Sequence, residues 1–124
     1  MSKTTKRCET CPPKSALSER PLLTRQQAGE LNDLFKVLAN DTRLRLMHAI
    51  AKHDEICVGD LAGSVEMKPQ AVSNQLQRLS DMGIIASHRE GNNIYYRVLD
   101  TCVLALLYQG LCLMEDAKQK TTGR

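Results

Sequence analysis

Apolar residues at Ala28, Leu31, Leu34, Phe35 and Leu38 recur at intervals of three and four, which predicts a first helix with one buried face. Thr24 precedes the run as an N-cap, and Gln27, three residues on, completes a capping box. Asn40, Asp41 and Thr42 interrupt the pattern and open a second helix, which carries Leu44, Leu46, Met47, Ala49 and Ile50 and ends near His53. A short third helix fits Val58 to Ser64. Val65-Glu66-Met67-Lys68 then turns the chain, and Pro69 suits the first turn of a fourth helix expected to reach Met82. That helix buries Val72, Leu76 and Leu79 and leaves Gln70, Ser73, Asn74 and Gln77 on the opposite side. Gly83 ends it. Ile84 to Arg89 and Ile94 to Leu99 read as two strands, joined by the turn-forming Glu90-Gly91-Asn92-Asn93.

Asp100 and Thr101 cap a last helix running to about Asp116, apolar on nearly every side through Val103, Leu104, Leu106, Leu107, Leu111, Leu113 and Met114. A chain of 124 residues has too little core of its own to cover such a helix. The first and last helices are therefore expected to join two copies as a homodimer. Residues 1–23, with Pro12, Pro13, Pro21 and little apolar patterning, read as a flexible arm; 24–116 form the folded domain and 117–124 a polar tail.

Composition sharpens this picture. Hydrophobic residues make up 42% of the chain but aromatic ones only 3%, so one modest core must be built from aliphatic side chains at helical spacing. The net charge of +3 suits a polyanionic partner without requiring one. No apolar run approaches the roughly 18 residues of a membrane span, and no secretory apolar segment follows the polar start, so a cytoplasmic protein with no membrane partner is expected. Five cysteines, an odd number, argue against a secreted disulfide framework and leave thiols as candidate ligands or redox groups. An enzyme is not expected: no Cys–His pair with an orienting acid, phosphate-cradling glycine loop or paired carboxylates can be found.

Short helix, turn, helix and hairpin, in that order, define a mainly α fold with a β-hairpin wing, the winged helix-turn-helix, whose second helix enters the major groove. An ordinary solvated helix face is rich in Glu and Lys. The face of Gln70, Ser73, Asn74 and Gln77 instead carries short neutral groups able to pair with base edges, Gln and Asn bidentately with adenine. Lys68 and Arg78 are placed to hold phosphates, and His88, Arg89, Asn92, Asn93 and Arg97 would line the wing.

With these elements in place, ICVGDLAGSVEMKPQAVSNQLQRLSDMGIIASHREGNNIYYRVLD resembles the core of the ArsR/SmtB family of bacterial metal-sensing repressors, and LFKVLANDTRLRLMHAI resembles the segment before it. The likeness spans Leu31 to Asp116. It implies a dimer on a double-stranded operator with an inverted repeat, its half-sites about one helical turn apart. It also implies a repressor released from DNA by a thiophilic heavy-metal ion.

Cys8-x-x-Cys11 has chelating spacing, while Pro12 and Pro13 block the helix that a thioredoxin-type motif would need; the alternative is an uninvolved tail. A cadmium- and lead-sensing branch of the family joins N-terminal cysteines to a CVCD motif. Here the motif reads Cys57-Val58-Gly59-Asp60, so the resemblance supplies three sulfurs, Cys8, Cys11 and Cys57. CVGD also occurs in members that do not use its cysteine, so a buried, inert Cys57 stays open. Three thiolates favour lead, mercury or arsenite, with cadmium if Asp60 or water joins the shell, and zinc less. Zinc-sensing members carry ligands on the last helix, where this chain has Asp100, Cys102, Leu113 and Asp116. That zinc site is broken by Cys102 and Leu113. Cys102 and Cys112 lie about 15 Å apart along a helix, so one ion can bridge them only across two protomers; the alternative is two small buried hydrophobes. No two of His48, His53 and His88 have ligand spacing, and they are read as structural or DNA-contacting. A thiol redox or persulfide sensor on the same fold is the rival to a metal switch.

Overall fold

The computed structural model describes residues 16–122. After a 3-10 turn at Leu17–Glu19 come α1 (Arg25–Leu38), α2 (Asp41–Ala51), β1 (Ile56–Cys57), α3 (Val58–Val65), α4 (Pro69–Asp81), β2 (Ile85–Glu90), β3 (Asn93–Val98) and α5 (Thr101–Thr122). The capping box at α1 forms as the sequence requires: the Gln27 amide donates to the Thr24 hydroxyl oxygen at 3.1 Å, and the Thr24 amide donates to the Gln27 side-chain oxygen at 3.0 Å. Asn40 caps α2 by accepting the Arg43 amide at 3.0 Å.

Between α3 and α4 the chain turns through Glu66 at φ 58 and ψ 48, a left-handed conformation unusual for a side-chain-bearing residue. The Met67 amide returns to the Ala62 carbonyl at 3.0 Å and closes that turn. Gly83, at φ 76, carries the chain out of α4 where a Cβ would be strained.

The hairpin is tighter than the pattern suggested. Glu90 pairs with Asn93, leaving only Gly91 and Asn92 in the turn, with Gly91 at φ 63. A glycine of positive φ at the first turn position matches strand twist, and pairing therefore continues to the tip. The sheet also has a third strand: β1 pairs antiparallel with β3, in the order β1-β3-β2. Two residues are too few to show an alternating pattern, so β1 left no signal in the sequence.

Leu46, Met47, Ile50, Leu61, Val72, Leu76, Leu79 and Ile85 are fully buried and bind α2, α3, α4 and the sheet into one core. Within one copy the apolar face of α1 is buried only at Leu38, while Leu31 and Phe35 are 40% and 44% exposed, on a helix expected to meet a second copy. Among the described side chains of α5 only Val103 is buried, and Leu106, Leu111, Leu113 and Met114 stand open. Between α1, α2 and α5 lies an apolar groove of about 530 Å³, with Phe35, Leu44, Val103, Leu107 and Met114 in its wall. Helical periodicity reports that a face is apolar, not which surface covers it.

α5 also continues to Thr122, past the Asp116 boundary and into the expected polar tail. Ala117, Lys118 and Gln119 are good helix formers, and polarity alone does not end a helix. Among the described residues no helix is long and apolar enough to cross a membrane.

Candidate nucleic-acid interface

α4 is held by its buried side, and what it presents follows from that. With Val72, Leu76 and Leu79 in the core, Gln70, Asn74, Gln77 and Arg78 are exposed, and Ser73 is half-buried at the edge nearest the sheet. Pro69 opens the helix and Lys68 stands exposed as its N-cap. The amides are ordered along the helix: Gln70 Nε2 donates to Asn74 Oδ1 at 3.1 Å, and Gln77 Nε2 donates to Asp81 Oδ1 at 2.9 Å. Each retains donor or acceptor capacity for a base edge.

Two links fix the helix to its surroundings. The Tyr96 hydroxyl, on the inner face of β3, donates to Ser73 Oγ at 3.4 Å and ties the wing to α4. Ser73 is therefore partly committed to the protein. Arg43, on α2, donates from Nε to the Val37 carbonyl at 2.6 Å and from its guanidinium to Gln75 Oε1 at 3.0 Å, joining α1, α2 and α4. Sequence reasoning missed this arginine, because a surface-patterned Arg carries no sign of the partner that a fold will give it. Replacing Tyr96 by Phe is expected to lower stability by about 0.5 kcal/mol, at the weak end for removal of a hydrogen bond given the long distance, measured as the urea midpoint.

On the wing, Arg89, Asn92, Asn93 and Arg97 are exposed, the first three at or beside the tip. His88 is placed differently from a free contact residue. Its Nδ1 lies 3.4 Å from Glu55 Oε2, and its ring stacks on Tyr95 with centroids 5.5 Å apart and planes at 15°. This anchors the hairpin to the segment before β1, a surface pair worth about 0–1 kcal/mol.

Of the candidate ligands, Cys8 and Cys11 lie outside the described residues. Cys57 ends β1, stands at the N-cap position of α3 without a side-chain cap bond, and is half-buried opposite Tyr95. Cys102 is exposed in the first turn of α5, its amide donating to Asp100 Oδ1 at 2.9 Å, and Cys112 is half-buried. In the single chain neither thiol is fully buried, and, Val103 apart, the apolar residues beside them on α5 are likewise uncovered. The Tyr108 hydroxyl is held above its ordinary range, chiefly by its hydrogen bond to the Cys112 side chain, then by that group's charge, with Glu115 adding a smaller push. Asp116 is exposed beyond Cys112. Among the described residues no three His, Cys, Asp or Glu side chains converge to hold a metal ion.

Residues 40–87 match the family described as "Bacterial regulatory protein, arsR family". The "Cadmium resistance transcriptional regulatory protein CadC" of Listeria innocua is 30% identical over 86 residues, 69% of this chain and 72% of that protein. The crystal structure of the AntR antimony-specific transcriptional repressor superposes with a TM-score of 0.75 at 60% identity, covering 88% of this chain and 98% of the other. The homodimeric winged helix-turn-helix DNA-binding domain of Mb0332 from Mycobacterium bovis, a possible ArsR-family regulator, is similar with a TM-score of 0.67 at 25% identity, over 82% and 95% of the two chains. Helix, turn, exposed reading helix and hairpin wing, together with these relatives, show that the chain belongs to the ArsR/SmtB family of winged helix-turn-helix transcriptional regulators, which bind DNA and are not catalysts.

Proposed function

We propose that this chain is a homodimeric repressor that holds an inverted-repeat operator and is released from it by a thiophilic ion. The observation that carries the DNA half is the face of α4, whose neutral amides stand outward beside a basic hairpin. Gln70, Asn74 and Gln77 read bases, with Ser73 at the margin. Lys68, Arg78 and Arg89 hold phosphates, and Asn92 and Asn93 reach the backbone or minor groove from the wing tip. His88 serves mainly by fixing the wing's pitch. The uncovered apolar faces of α1 and α5 support a second copy as their partner, and Mb0332 is described as homodimeric.

The donor set bears on the effector. Both candidate sets are built on cysteine sulfur, which suits soft ions and disfavours zinc. AntR is described as antimony-specific and CadC as a cadmium resistance regulator. We accordingly place trivalent antimony beside arsenite, lead, mercury and cadmium as effectors to test. One thiol set is Cys8, Cys11 and Cys57, where Cys57 stands at the start of the helix pair and a pull on it would shift the reading heads. A second set, Cys102 and Cys112 with Asp100 and Asp116, would draw its ligands from both protomers where two α5 helices meet, Cys102 being exposed and Cys112 half-buried in the single chain.

Operator binding by the full chain, with and without each ion, tests the proposal. Loss of at least about tenfold in affinity with one of them is expected, equivalent to a coupling of about 1.4 kcal/mol. Response abolished by Cys8→Ser and Cys57→Ser assigns the arm-to-head set; response abolished only by Cys102→Ser and Cys112→Ser assigns α5. No change with any ion rejects the switch.

A further inference from the structure

We propose that the cleft between α2 and α3 is a site for a small phosphate-class oxyanion, separate from both the reading face and the thiols. Arg45, His48, Lys52 and His53, all from α2 and its C-terminal end, and Ser64 of α3 line a cavity of about 240 Å³. That is room for one tetrahedral anion and some water. No carboxylate is in the lining. Among the described residues none of the four basic side chains has an acidic partner within ion-pair distance, and the nearby Glu55 is engaged by His88. Arg45 and Lys52 are cations in a concavity whose lining offers no carboxylate, and an anion held by several donors would supply the missing counter-charge.

The end of α2 explains part of this arrangement, since cations near a helix C-terminus complement its dipole. That effect fades within the last turn. It does not reach Arg45, nor does it account for a cavity shared with α3. The Ser64 hydroxyl, now donated to the Asp60 carbonyl at 3.0 Å, needs only a rotation to serve as a further donor.

The ligand's source follows from where the cleft lies. No residue of α4 or of the hairpin lines it. On α2, Arg43 reaches Gln75 of α4, whereas Arg45, two residues and about 200° further round, points away from that side. The cleft thus opens away from the surface offered to the duplex, and a free anion fits it better than a backbone phosphate. Arg45 and His48 also belong to the wall of the apolar groove beside α5, so an anion here would fix two side chains bordering the face expected to meet a second copy. Anion binding at this cleft is independent of any response to thiophilic ions.

The test uses the full chain and inorganic phosphate, titrated at constant ionic strength against chloride, and follows the imidazole C–H resonances of His48 and His53. Saturable shifts of both rings are expected, with a rise in melting temperature that tracks occupancy. The double variant Lys52→Gln, His53→Asn leaves the apolar groove intact. It should weaken binding at least about tenfold, the scale for removing a charge-assisted hydrogen bond, read from the remaining His48 resonances. Shifts that stay linear to tens of millimolar, that chloride reproduces, or that persist in the variant would overturn the site. So would a variant that binds no less phosphate but shows a shallower salt dependence of operator affinity, because the bases would then be holding duplex backbone.

Discussion

Changing Asn74 to Ala in every protomer is expected to weaken operator binding by about 30-fold or more while leaving binding to random duplex nearly unchanged. A bidentate amide-to-base contact discriminates by about 1–3 kcal/mol, and a dimer on an inverted repeat forfeits it twice, so the sum is about 2–6 kcal/mol. Stability should hardly move, because the side chain is exposed and its intramolecular contact is one hydrogen bond donated by the Gln70 side-chain amide. That bond adds a secondary effect: without Asn74 Oδ1 the Gln70 amide is no longer oriented, so both readout groups suffer. Fluorescence anisotropy on operator and scrambled duplexes, at two salt concentrations, checks it. Equal losses on both duplexes would show that Asn74 grips backbone. Lys68→Gln is the contrasting control, since removing a cation from a phosphate should weaken binding to all sequences alike and flatten the salt dependence.

The second large effect concerns assembly. Leu106→Glu combined with Leu111→Glu is expected to give a folded monomer with operator affinity reduced by about 100-fold or more. Both side chains are already 40% and 41% exposed in the single chain, so the charges cost the fold little. At a face pressed against a second copy, each carboxylate would have to leave water for a mainly apolar surface, which costs several kcal/mol and outweighs the apolar contact it replaces. A monomer then grips one half-site and forfeits the gain from linking two. Sedimentation of the variant and its far-ultraviolet circular dichroism together decide the matter. A variant that remains dimeric would move the interface elsewhere.

Much of this was legible from residue order, and the exceptions have physical causes. Caps, turns and apolar spacing act within a few residues, and so the ends of α1, the Pro69 start and the Gly83 stop were readable one by one. The outward amides of α4 followed from the same spacing, because a helix that buries Val72, Leu76 and Leu79 has no choice about what its other side shows. The reach of α5 was misjudged since its end depends on helix propensity continuing through polar residues.

Local order along the chain was enough to set the succession of helices and hairpin, the polar character of the reading face and the presence of thiols. Only the folded arrangement decided that Arg43 serves α4, that His88 is anchored by Glu55 and Tyr95, that Cys57 belongs to a third strand, and that the apolar sides of α1 and α5 lie uncovered in one copy. The division has one source: capping and periodicity involve neighbours in sequence, whereas a side chain's partner is chosen by which distant segments the core brings to the same place.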